Sequence, residues 1–234
     1  MSGNCKWLHE QLQDLPLIHY PFDLEKLPMN GVYFFYEAGE IWGHSLENKS
    51  RIVRIGTSNQ GNFRSRIKDH YVMDDSKMNF NSNKPAPHER SIFRKNIGRA
   101  ILSKEKNPYL YVWEIDFTTR ENRNKYSHLR NTTLEKEIER KITDILQKNF
   151  SFRFLRIEDQ KTRMGSSGIE SKLIGTIAHC KLCEPSKNWL GNHSPKDKIR
   201  NSGLWLVNLL DSTPINEDDK ELISKYKKNT LEMN

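Results

Sequence analysis

The distribution of apolar residues predicts two β-strands near the start of the chain. The run GVYFFYE, which begins at Gly31, has the aromatic and β-branched content of a strand. The run RIVRIG, which ends at Gly56, alternates as a second strand would. We expect the two to pair as a hairpin across the loop near AGEIWGHSLENKS. Each carries a glycine, which has no Cβ and would let a ligand approach the backbone closely.

Helical spacing of apolar residues dominates most of the segments that follow. Phe63, Ile67 and Tyr71 recur every four residues and predict a helix with one stripe toward the core. Arg66 and His70 lie one turn apart on a neighbouring face of that helix. A short helix is also expected in the first 30 residues, before a lead-in broken by prolines. The same spacing predicts helices in SIFRKNIGRAIL, TTLEKEIERKITDILQ, GIESKLIGTIAHC and NEDDKELISKYKK.

Two further strands and one long loop complete the predicted elements. YLYVWEIDF, at residues 109–117, and FSFRFLRI, at 150–157, are predicted as strands, whereas residues 72–89 have the polar, proline-broken composition of a loop. Strands and helices mix without a regular β-α-β rhythm, which indicates an α+β fold rather than a doubly wound sheet. A chain of 234 residues is long enough for one domain with a core of ordinary size.

Composition narrows the class of protein. Apolar residues make up 35% of the chain, the mean hydropathy is −0.82, and no run approaches the roughly 18 apolar residues of a membrane helix. The first twenty residues lack the apolar core of a secretion signal. The three cysteines make no disulfide framework, which favours a reducing compartment. We therefore expect a cytoplasmic protein with no membrane partner.

The net charge of +8 has a location. Residues 50–106 contain thirteen Lys and Arg against five Asp and Glu, so this segment accounts for the whole excess. A solvated basic face is one interpretation, and a site for a polyanion is the other. Arginine forks suit phosphate, which favours nucleic acid as the partner. The arginines concerned are Arg51, Arg54, Arg64, Arg66, Arg90 and Arg94, with Arg99 as a seventh.

Glu170 stands out because it lies in line with the apolar stripe of its predicted helix. Taken alone, Ser167 and Glu170 fit a capping box, in which the carboxylate reaches back to a backbone N–H. A metal ligand is the alternative interpretation. Asn188 and Asn192 follow in a polar segment, where either could cap a turn.

Other polar residues receive a structural interpretation. We expect Glu135, Glu137 and Glu139 to form the exposed face of their helix and His88 to be solvated. Trp189 and Trp205 are expected to anchor the core.

Cys180 and Cys183, beside His179, have the spacing of zinc ligands. A structural zinc site needs four ligands, there is no second C-x-x-C, and His193 could join only through folding. We do not predict zinc from the sequence.

In order along the chain, these residues resemble the GIY-YIG nuclease superfamily. Gly31-Val32-Tyr33 and Arg54-Ile55-Gly56 are similar to its two triads, which lie in a β-hairpin. The next helix of that family presents an arginine, often with a histidine one turn later, as Arg66 and His70 are spaced here. Glu170 matches the family's glutamate-x-x-Leu-Ile pattern on a later helix. Arg54 departs from the pattern, because the family most often has tyrosine there.

The resemblance implies an architecture. It predicts a small, mixed or antiparallel three-stranded sheet flanked by helices, with a helical and strand insertion and a C-terminal extension. We place the nuclease domain at residues 31–210, the insertion at about 101–149, a lead-in at 1–30 and a C-terminal helix at 211–234.

The resemblance also implies roles for the candidate residues. Glu170 would hold one divalent ion, Mg²⁺ or Mn²⁺, and Tyr33 would position or deprotonate the attacking water. Arg66 would brace the phosphate, and His70 would orient a group or shuttle a proton. Arg54 cannot act as a base, because an arginine pKa stays above about 12, but it could contact phosphate.

The remaining candidates are an asparagine and a set of DNA contacts. Asn188, in Pro185-x-x-Asn188, resembles the asparagine that ends the family core, and Asn192 is its rival. The candidate DNA contacts are Arg64, Lys68, Arg90, Ser91, Arg94, Lys95 and Asn192.

The function predicted in this way is a divalent-metal-dependent DNA endonuclease, of the type II restriction or phage-defence kind. Two alternatives stay open. One is a DNA-binding module that lost its chemistry at Arg54, and the other is a structure-selective repair nuclease. Restriction-type relatives often form dimers, so a homodimer is a further expectation by analogy.

Overall fold

The computed structural model describes residues 2–43, 45 and 48–232. The helices are α1 (Ser2–Gln13), α2 (Phe63–Tyr71), α3 (Pro87–Arg90), α4 (Ile92–Lys104), α5 (Leu110–Glu114), α6 (Arg120–Tyr126), α7 (Thr132–Asn149), α8 (Gln160–Arg163), α9 (Ile169–Ala178), α10 (Asp197–Ser202) and α11 (Glu217–Leu231). The strands are β1 (Ile18–His19), β2 (Gly31–Ile41), β3 (Ser50–Gly56) and β4 (Phe150–Arg156). Short 3-10 turns lie at Leu24–Lys26, Asp75–Met78, Ser127–Leu129 and Leu190–His193. In the part of the chain described, no helix is long and apolar enough to cross a membrane.

The four strands form one antiparallel sheet in the order β1-β4-β2-β3. Strand β2 is central and pairs on one side with β3, where Tyr33 lies opposite Gly56. On its other side β2 pairs with β4, where Gly31 lies opposite Arg156. The predicted hairpin and antiparallel sheet are confirmed, and the two-residue strand β1 adds a fourth strand to the three that were expected.

Both faces of the sheet are covered. Val32, Phe34 and Tyr36 pack in a core with α1, α9 and α11. Tyr33 and Phe35 pack on the opposite face in a second core with α2, α4 and α7. Successive side chains of a strand point to opposite faces, so a central strand covered on both sides carries an uninterrupted apolar run. This explains the GVYFFYE sequence.

One predicted strand is wrong. YLYVWEIDF contains helix α5, although tyrosine, valine and tryptophan favour strands. Trp113 explains the difference, because its indole N–H donates to the Lys95 carbonyl at 3.1 Å and its ring lies against Gly98 of α4. A Cβ at Gly98 would come within 2.3 Å of that ring. Packing of one side chain on α4 therefore outweighs local strand preference, and the described part of the insertion contains no strand.

The two tryptophans predicted as core anchors are buried as expected. The indole N–H groups of Trp189 and Trp205 both donate to the same carboxylate oxygen of Glu37, at 2.9 and 3.0 Å. Burial raises the pKa of Glu37, and these two hydrogen bonds act against that shift.

An ion pair between Arg94 and Glu139 lies in the interior, where neither side chain has exposed surface. Arg94 donates to the Glu139 carboxylate at 2.5 and 3.0 Å, and to the carbonyl of His70 at 2.9 Å. His88 donates from its backbone to the same carboxylate, and its ring stacks on Trp113 at 3.7 Å. The expectations of a solvated His88 and of an exposed Glu139 are therefore wrong.

Glu135, the first of the three glutamates along the chain, is also buried, in a salt bridge with Arg130. All three glutamates were predicted to be exposed, and only Glu137 is.

Three of the seven arginines in the basic segment, Arg51, Arg94 and Arg99, are buried and paired with acids inside the protein. Arg51 has no exposed surface and binds Glu40, while Arg99 binds Glu114 at 2.7 Å through two nitrogens. Glu40 and Glu114 lie outside residues 50–106, so the charge excess of that segment overstates the positive field at the surface.

We predict that Glu139→Ala destabilises the protein by about 3–5 kcal/mol, because it leaves the Arg94 guanidinium unpaired in the interior. Glu137→Ala, on the same helix but exposed, should change stability by no more than about 0.5 kcal/mol. Urea unfolding of both variants measures the difference. Equal losses from the two substitutions would contradict the buried ion pair.

The same comparison has a pH dependence. Burial opposes the charge on Glu139, but the charge of Arg94 and the hydrogen bond from His88 outweigh it and lower the pKa of Glu139 to about 2. A carboxyl with a lowered folded-state pKa stabilises above its unfolded pKa. The difference in unfolding free energy between wild type and Glu139→Ala should therefore become smaller as pH falls from 4.5 toward 2.

Candidate active site

A chain of buried hydrogen bonds joins three elements at the centre of the candidate site. The Tyr33 hydroxyl, on β2, lies 3.1 Å from Nε2 of His70, on α2. Nδ1 of His70 lies 2.8 Å from Oγ of Ser91, which precedes α4. All three side chains are nearly or completely buried. This series of hydrogen bonds fixes the orientation of the Tyr33 hydroxyl.

Ser91 is fixed by its own helix. It is the N-cap of α4, and its Oγ accepts from the backbone N–H of Arg94 at 3.3 Å. Ser91 was predicted to contact DNA. Its side chain has no exposed surface and faces His70, so its placement does not fit that contact.

His70 lies in a strongly positive environment. Burial, together with the charges of Arg54, Arg66 and Arg94, lowers the pKa of His70 well below its ordinary value. The imidazole is therefore neutral near pH 7, with one ring nitrogen as donor and the other as acceptor. A neutral ring suits orientation of the Tyr33 hydroxyl better than storage of a proton.

Gly56 provides the space that the Tyr33 ring occupies. A Cβ on Gly56 would lie 2.4 Å from the Tyr33 hydroxyl oxygen and 2.5 Å from the adjoining ring carbon. Gly31 serves β4 in a similar manner, because its Cβ would come within 2.5 Å of the Leu155 carbonyl oxygen. The space beside the two glycines, where a ligand was expected to approach, is thus occupied by the Tyr33 side chain and the Leu155 backbone.

Glu170 lies in the first turn of α9, beside the end of β3. Its carboxylate accepts from the backbone N–H of Thr57 and lies in the field of Arg54 and Arg163. Burial raises the pKa of Glu170, and these three groups act against that shift. The residue as a whole is partly buried.

The capping-box interpretation of Glu170 is wrong. Helix α9 has Gly168 as its N-cap, and no side chain caps it. Gly168 occupies the position that the capping box assigned to Ser167, so the Glu170 carboxylate is left to contact Thr57 instead.

Arg54 lies on β3, opposite Phe35 of β2. It donates from Nη1 to the Trp205 carbonyl at 2.6 Å, and its guanidinium lies 4.8 Å from the Phe93 ring centroid. Its Nε is buried and has no partner among the described residues. The charge acts on both His70 and Glu170, which places all three groups in one local field.

A family model described as the GIY-YIG domain matches residues 6–231, nearly the whole chain. The chain belongs to the GIY-YIG domain family. The resemblance inferred from the two triads is confirmed, and the family indicates a nuclease that acts on DNA. No curated protein and no solved structure shows a significant match to the chain.

The matched region of the GIY-YIG domain includes most of helix α1 and all of helix α11. Leu8 of α1 and Ile223 of α11 are fully buried in the same core as strand β2. Domain boundaries at residues 30 and 210 stay a prediction, and the packing shows that the flanking helices share the core of the domain.

Arg66 of the GIY-YIG domain lies at the rim of the site. It is half-buried and donates from Nη1 to the Arg90 carbonyl at 2.9 Å. Arg90 itself is exposed and, with Lys68, Lys77 and Lys84, lines a cleft of about 240 Å³. Asp69 and Asp74 also line this cleft, and Lys68 lies 3.7 Å from Asp74, so the four cations exceed the two acids. We call it the basic cleft.

Other predicted DNA contacts are engaged within the protein. Arg94 has no exposed surface, as described above, so its placement does not fit contact with DNA. Lys95 is nearly buried beside Glu89, at 3.2 Å. Arg64 is partly exposed and binds both the side chain and the carbonyl of Glu25.

The two candidate asparagines lie apart from the Tyr33 chain. Asn192 donates to the carbonyls of Ser186 and Lys187 at 2.9 and 3.2 Å, as a residue that caps a turn does. Asn188 is exposed and lines a different cleft, with Glu37 and Glu40. Its role as the terminal asparagine of the site stays a prediction.

Arg163 is a site residue that the sequence did not reveal. It is fully buried and donates to the Thr57 hydroxyl at 3.1 Å, the Ser58 carbonyl at 2.9 Å and the Gln60 side chain at 2.9 Å. It therefore holds the turn after β3, whose Thr57 N–H contacts Glu170. No sequence pattern marks an arginine in the segment QKTRMGSSG for this role.

We predict that Gly56→Ala destabilises the protein by about 1–3 kcal/mol, because the added methyl group overlaps the Tyr33 ring. Gly3→Ala is the matched control. It lies in helix α1 with no atom within 4 Å of the new Cβ, and it should be neutral or stabilising by about 0.5–1 kcal/mol. Urea unfolding reports both. A Gly56→Ala variant as stable as wild type would contradict the packing of Tyr33 on Gly56.

Proposed function

We propose that this GIY-YIG domain is a divalent-metal-dependent endonuclease that hydrolyses phosphodiester bonds in DNA. One observation carries the proposal. Tyr33, His70, Arg54 and Glu170, which are far apart in the sequence, converge at the open end of one β-hairpin. A hydroxyl, a carboxylate and fixed cations are the groups that phosphoryl chemistry needs within one site.

The donor set at Glu170 fits a hard divalent cation. Mg²⁺ keeps several waters and is commonly held by one or two carboxylates together with substrate phosphate oxygens. Glu170 provides one carboxylate on a partly buried residue, and waters and a phosphate would complete the coordination. Such an ion would neutralise charge that develops on the phosphate and on the leaving 3′ oxygen. Mn²⁺ would serve the same ligands.

The roles of the other residues follow from their contacts. Tyr33 would position the attacking water through the oxygen that His70 holds in place. With its lowered pKa, His70 is a poor store for a proton, so we assign it the orientation of Tyr33. Arg66, at the rim, would contact the phosphate oxygens with its guanidinium fork.

Arg54 would add fixed positive charge near the phosphate. Its buried Nε lacks a partner among the described residues, which leaves one N–H direction for a ligand oxygen. The family's usual tyrosine would offer a neutral hydroxyl, whereas arginine offers charge but no base. This difference supports electrostatic stabilisation, not proton transfer, at the second triad.

The basic cleft supports a path for DNA toward the site. Arg90 links the two, because its carbonyl accepts from Arg66 and its side chain lines the cleft. Lys68 also lines the cleft and lies on α2, two residues before His70. A strand of DNA bound along these cations would bring a phosphate near Arg66.

We further propose a restriction or phage-defence role, in which two chains pair to cut both strands. The resemblance to restriction-type relatives supports this finer assignment. It predicts discrete fragments from a plasmid, with little accumulation of the nicked form. A non-catalytic module would bind DNA without turnover, and a repair nuclease would cut branched DNA in preference to plasmid.

We predict that purified protein cleaves supercoiled plasmid when Mg²⁺ or Mn²⁺ is present. Glu170→Ala and Tyr33→Phe should each lower the rate by about 100-fold or more, because each removes a group that acts in the transition state. Single-turnover rates from gel densitometry, with saturating metal, measure the losses.

Two exposed residues serve as matched controls for the cleavage assay. Glu217→Gln changes a carboxylate in the first turn of another helix, α11, and Tyr111→Phe removes the hydroxyl of a tyrosine that is 69% exposed. Both should cleave at the wild-type rate. An intact plasmid in every lane, with a gel shift still visible, would contradict the nuclease and favour the binding module.

We predict that Lys84→Ala and Arg90→Ala weaken DNA binding and that each lowers the slope of log affinity against log salt by about one. Lys148→Ala, which removes a cation that is 72% exposed on α7, should leave the slope unchanged. Fluorescence anisotropy over a salt series, in Ca²⁺, gives both quantities. A full wild-type slope in both cleft variants would show that DNA lies elsewhere.

A further inference from the structure

A second cluster of potential metal ligands lies on the face of the sheet that α1 and α9 cover, opposite to Tyr33. The side chains of Cys5 and His9, one turn apart on α1, meet Cys183, which lies with Cys180 just beyond the end of α9. His9 and all three cysteines are buried. The four residues therefore bring together three sulfurs and an imidazole from segments about 170 positions apart in the sequence.

The distances within the cluster are those of groups that could share one ion. Sγ of Cys5 lies 3.3 Å from Sγ of Cys183 and 3.6 Å from Nδ1 of His9. The ligand atoms of these three residues all lie within 4.8 Å of one another. The Cys180 thiol interacts with both of the other thiols.

We propose that Cys5, His9, Cys180 and Cys183 bind one Zn²⁺ in a structural Cys₃His site. Zinc takes four sulfur or nitrogen ligands in a tetrahedron, and Zn–S bonds are about 2.3 Å. Two sulfurs on one edge of such a tetrahedron are about 3.8 Å apart. The Cys5 and Cys183 sulfurs would separate by only about 0.5 Å to reach that spacing.

The chemistry of the cluster distinguishes this site from the proposed catalytic ion. Thiolates select soft or borderline cations, whereas Mg²⁺ prefers oxygen ligands. The cluster contains no carboxylate among its described ligands. Glu170 lies at the opposite end of α9, in the first turn, while Cys180 follows the last turn. The two sites would therefore hold different metals, and this inference does not depend on nuclease activity.

The surroundings of the cluster suit a structural role. His9 stacks on Trp42, with the ring centroids 4.8 Å apart, and its Nε2 accepts from the Ile52 backbone N–H at 3.2 Å. In that tautomer Nδ1 carries the proton, so ligation through Nδ1 would displace this proton and shift the ring. Gly43 packs on the turn between Cys180 and Cys183, where a Cβ would lie 1.9 Å from the Leu182 carbonyl oxygen.

The metal would join α1, the end of α9 and strand β3 in one unit. Structural zinc contributes directly to folding free energy, because the ligands are brought together only in the folded state. It would fix α9 at its C-terminal end, while the Thr57 contact fixes Glu170 at the N-terminal end.

The test is the zinc content of protein purified from zinc-supplemented medium, under reducing conditions and without chelator. We expect one zinc per wild-type chain by inductively coupled plasma mass spectrometry. After replacement by Co²⁺, we expect a sulfur-to-metal charge-transfer band. X-ray absorption should give three sulfurs and one nitrogen around the metal. These measurements use wild-type protein and do not depend on the folding of a variant.

Variants then assign the ligands. Cys5→Ser and Cys183→Ser should lose most of the zinc, and His9→Ala should lose the nitrogen ligand. His179→Asn and His193→Asn, which alter exposed histidines near the same cysteines in sequence, should keep it. Glu170→Ala should also keep the zinc, which separates this site from the nuclease centre. Removal of zinc by phenanthroline should lower the Tm of wild type by about 5 °C or more.

Three results would overturn the proposal. One is wild-type protein without zinc and without a charge-transfer band on addition of Co²⁺. Another is zinc that is lost in His179→Asn or His193→Asn but retained in His9→Ala and Cys5→Ser. The third is mass spectrometry of alkylated native protein that finds Cys5 and Cys183 joined as a disulfide.

Discussion

The Tyr33 ring lies where residue 56 would carry a Cβ, and much of the molecule is arranged around that contact. The ring is held at its hydroxyl by His70 of α2, and His70 is held by Ser91 at the start of α4. The first turn of α4 carries Arg94, whose ion pair with Glu139 holds α7 in place. A single set of contacts thus connects the central strand of the sheet with the insertion that covers it. Glycine at position 56 is required because any larger residue would displace the tyrosine.

Charge is used twice in this structure, first for stability and then for the site. Four of the seven arginines of the basic segment, Arg51, Arg64, Arg94 and Arg99, pair with acids, so they join parts of the fold instead of attracting DNA. Lys68, Lys77, Lys84 and Arg90 line the basic cleft, and the Arg90 carbonyl accepts from Arg66. Burial, together with the charges of Arg54, Arg66 and Arg94, lowers the pKa of His70, so the buried arginines still act on the site. Attraction of a polyanion would therefore depend on a few rim residues, whereas the field within the site depends on buried ones.

The sequence was sufficient for the elements that carry strong periodicity and for the family motifs. The hairpin, the helices with regular apolar stripes and the order Tyr33, Arg66, His70, Glu170 could all be recognised. Contacts between distant residues could not. The strand expected at 109–117 forms α5 because Trp113 packs on Gly98, and Glu139 looked exposed because its partner Arg94 is 45 positions away. Cys180 and Cys183 looked incomplete as ligands because nothing in their neighbourhood points to Cys5 and His9.

The most direct test of the proposed site is a crystal structure of Tyr33→Phe with duplex DNA and Mn²⁺, in which anomalous scattering locates the metal. We predict an anomalous peak at the Glu170 carboxylate, with a backbone phosphate between that metal and the guanidinium groups of Arg54 and Arg66. The DNA should continue along the basic cleft. DNA bound against another face of the domain, or Mn²⁺ absent from Glu170 while a phosphate occupies the site, would contradict the assignment.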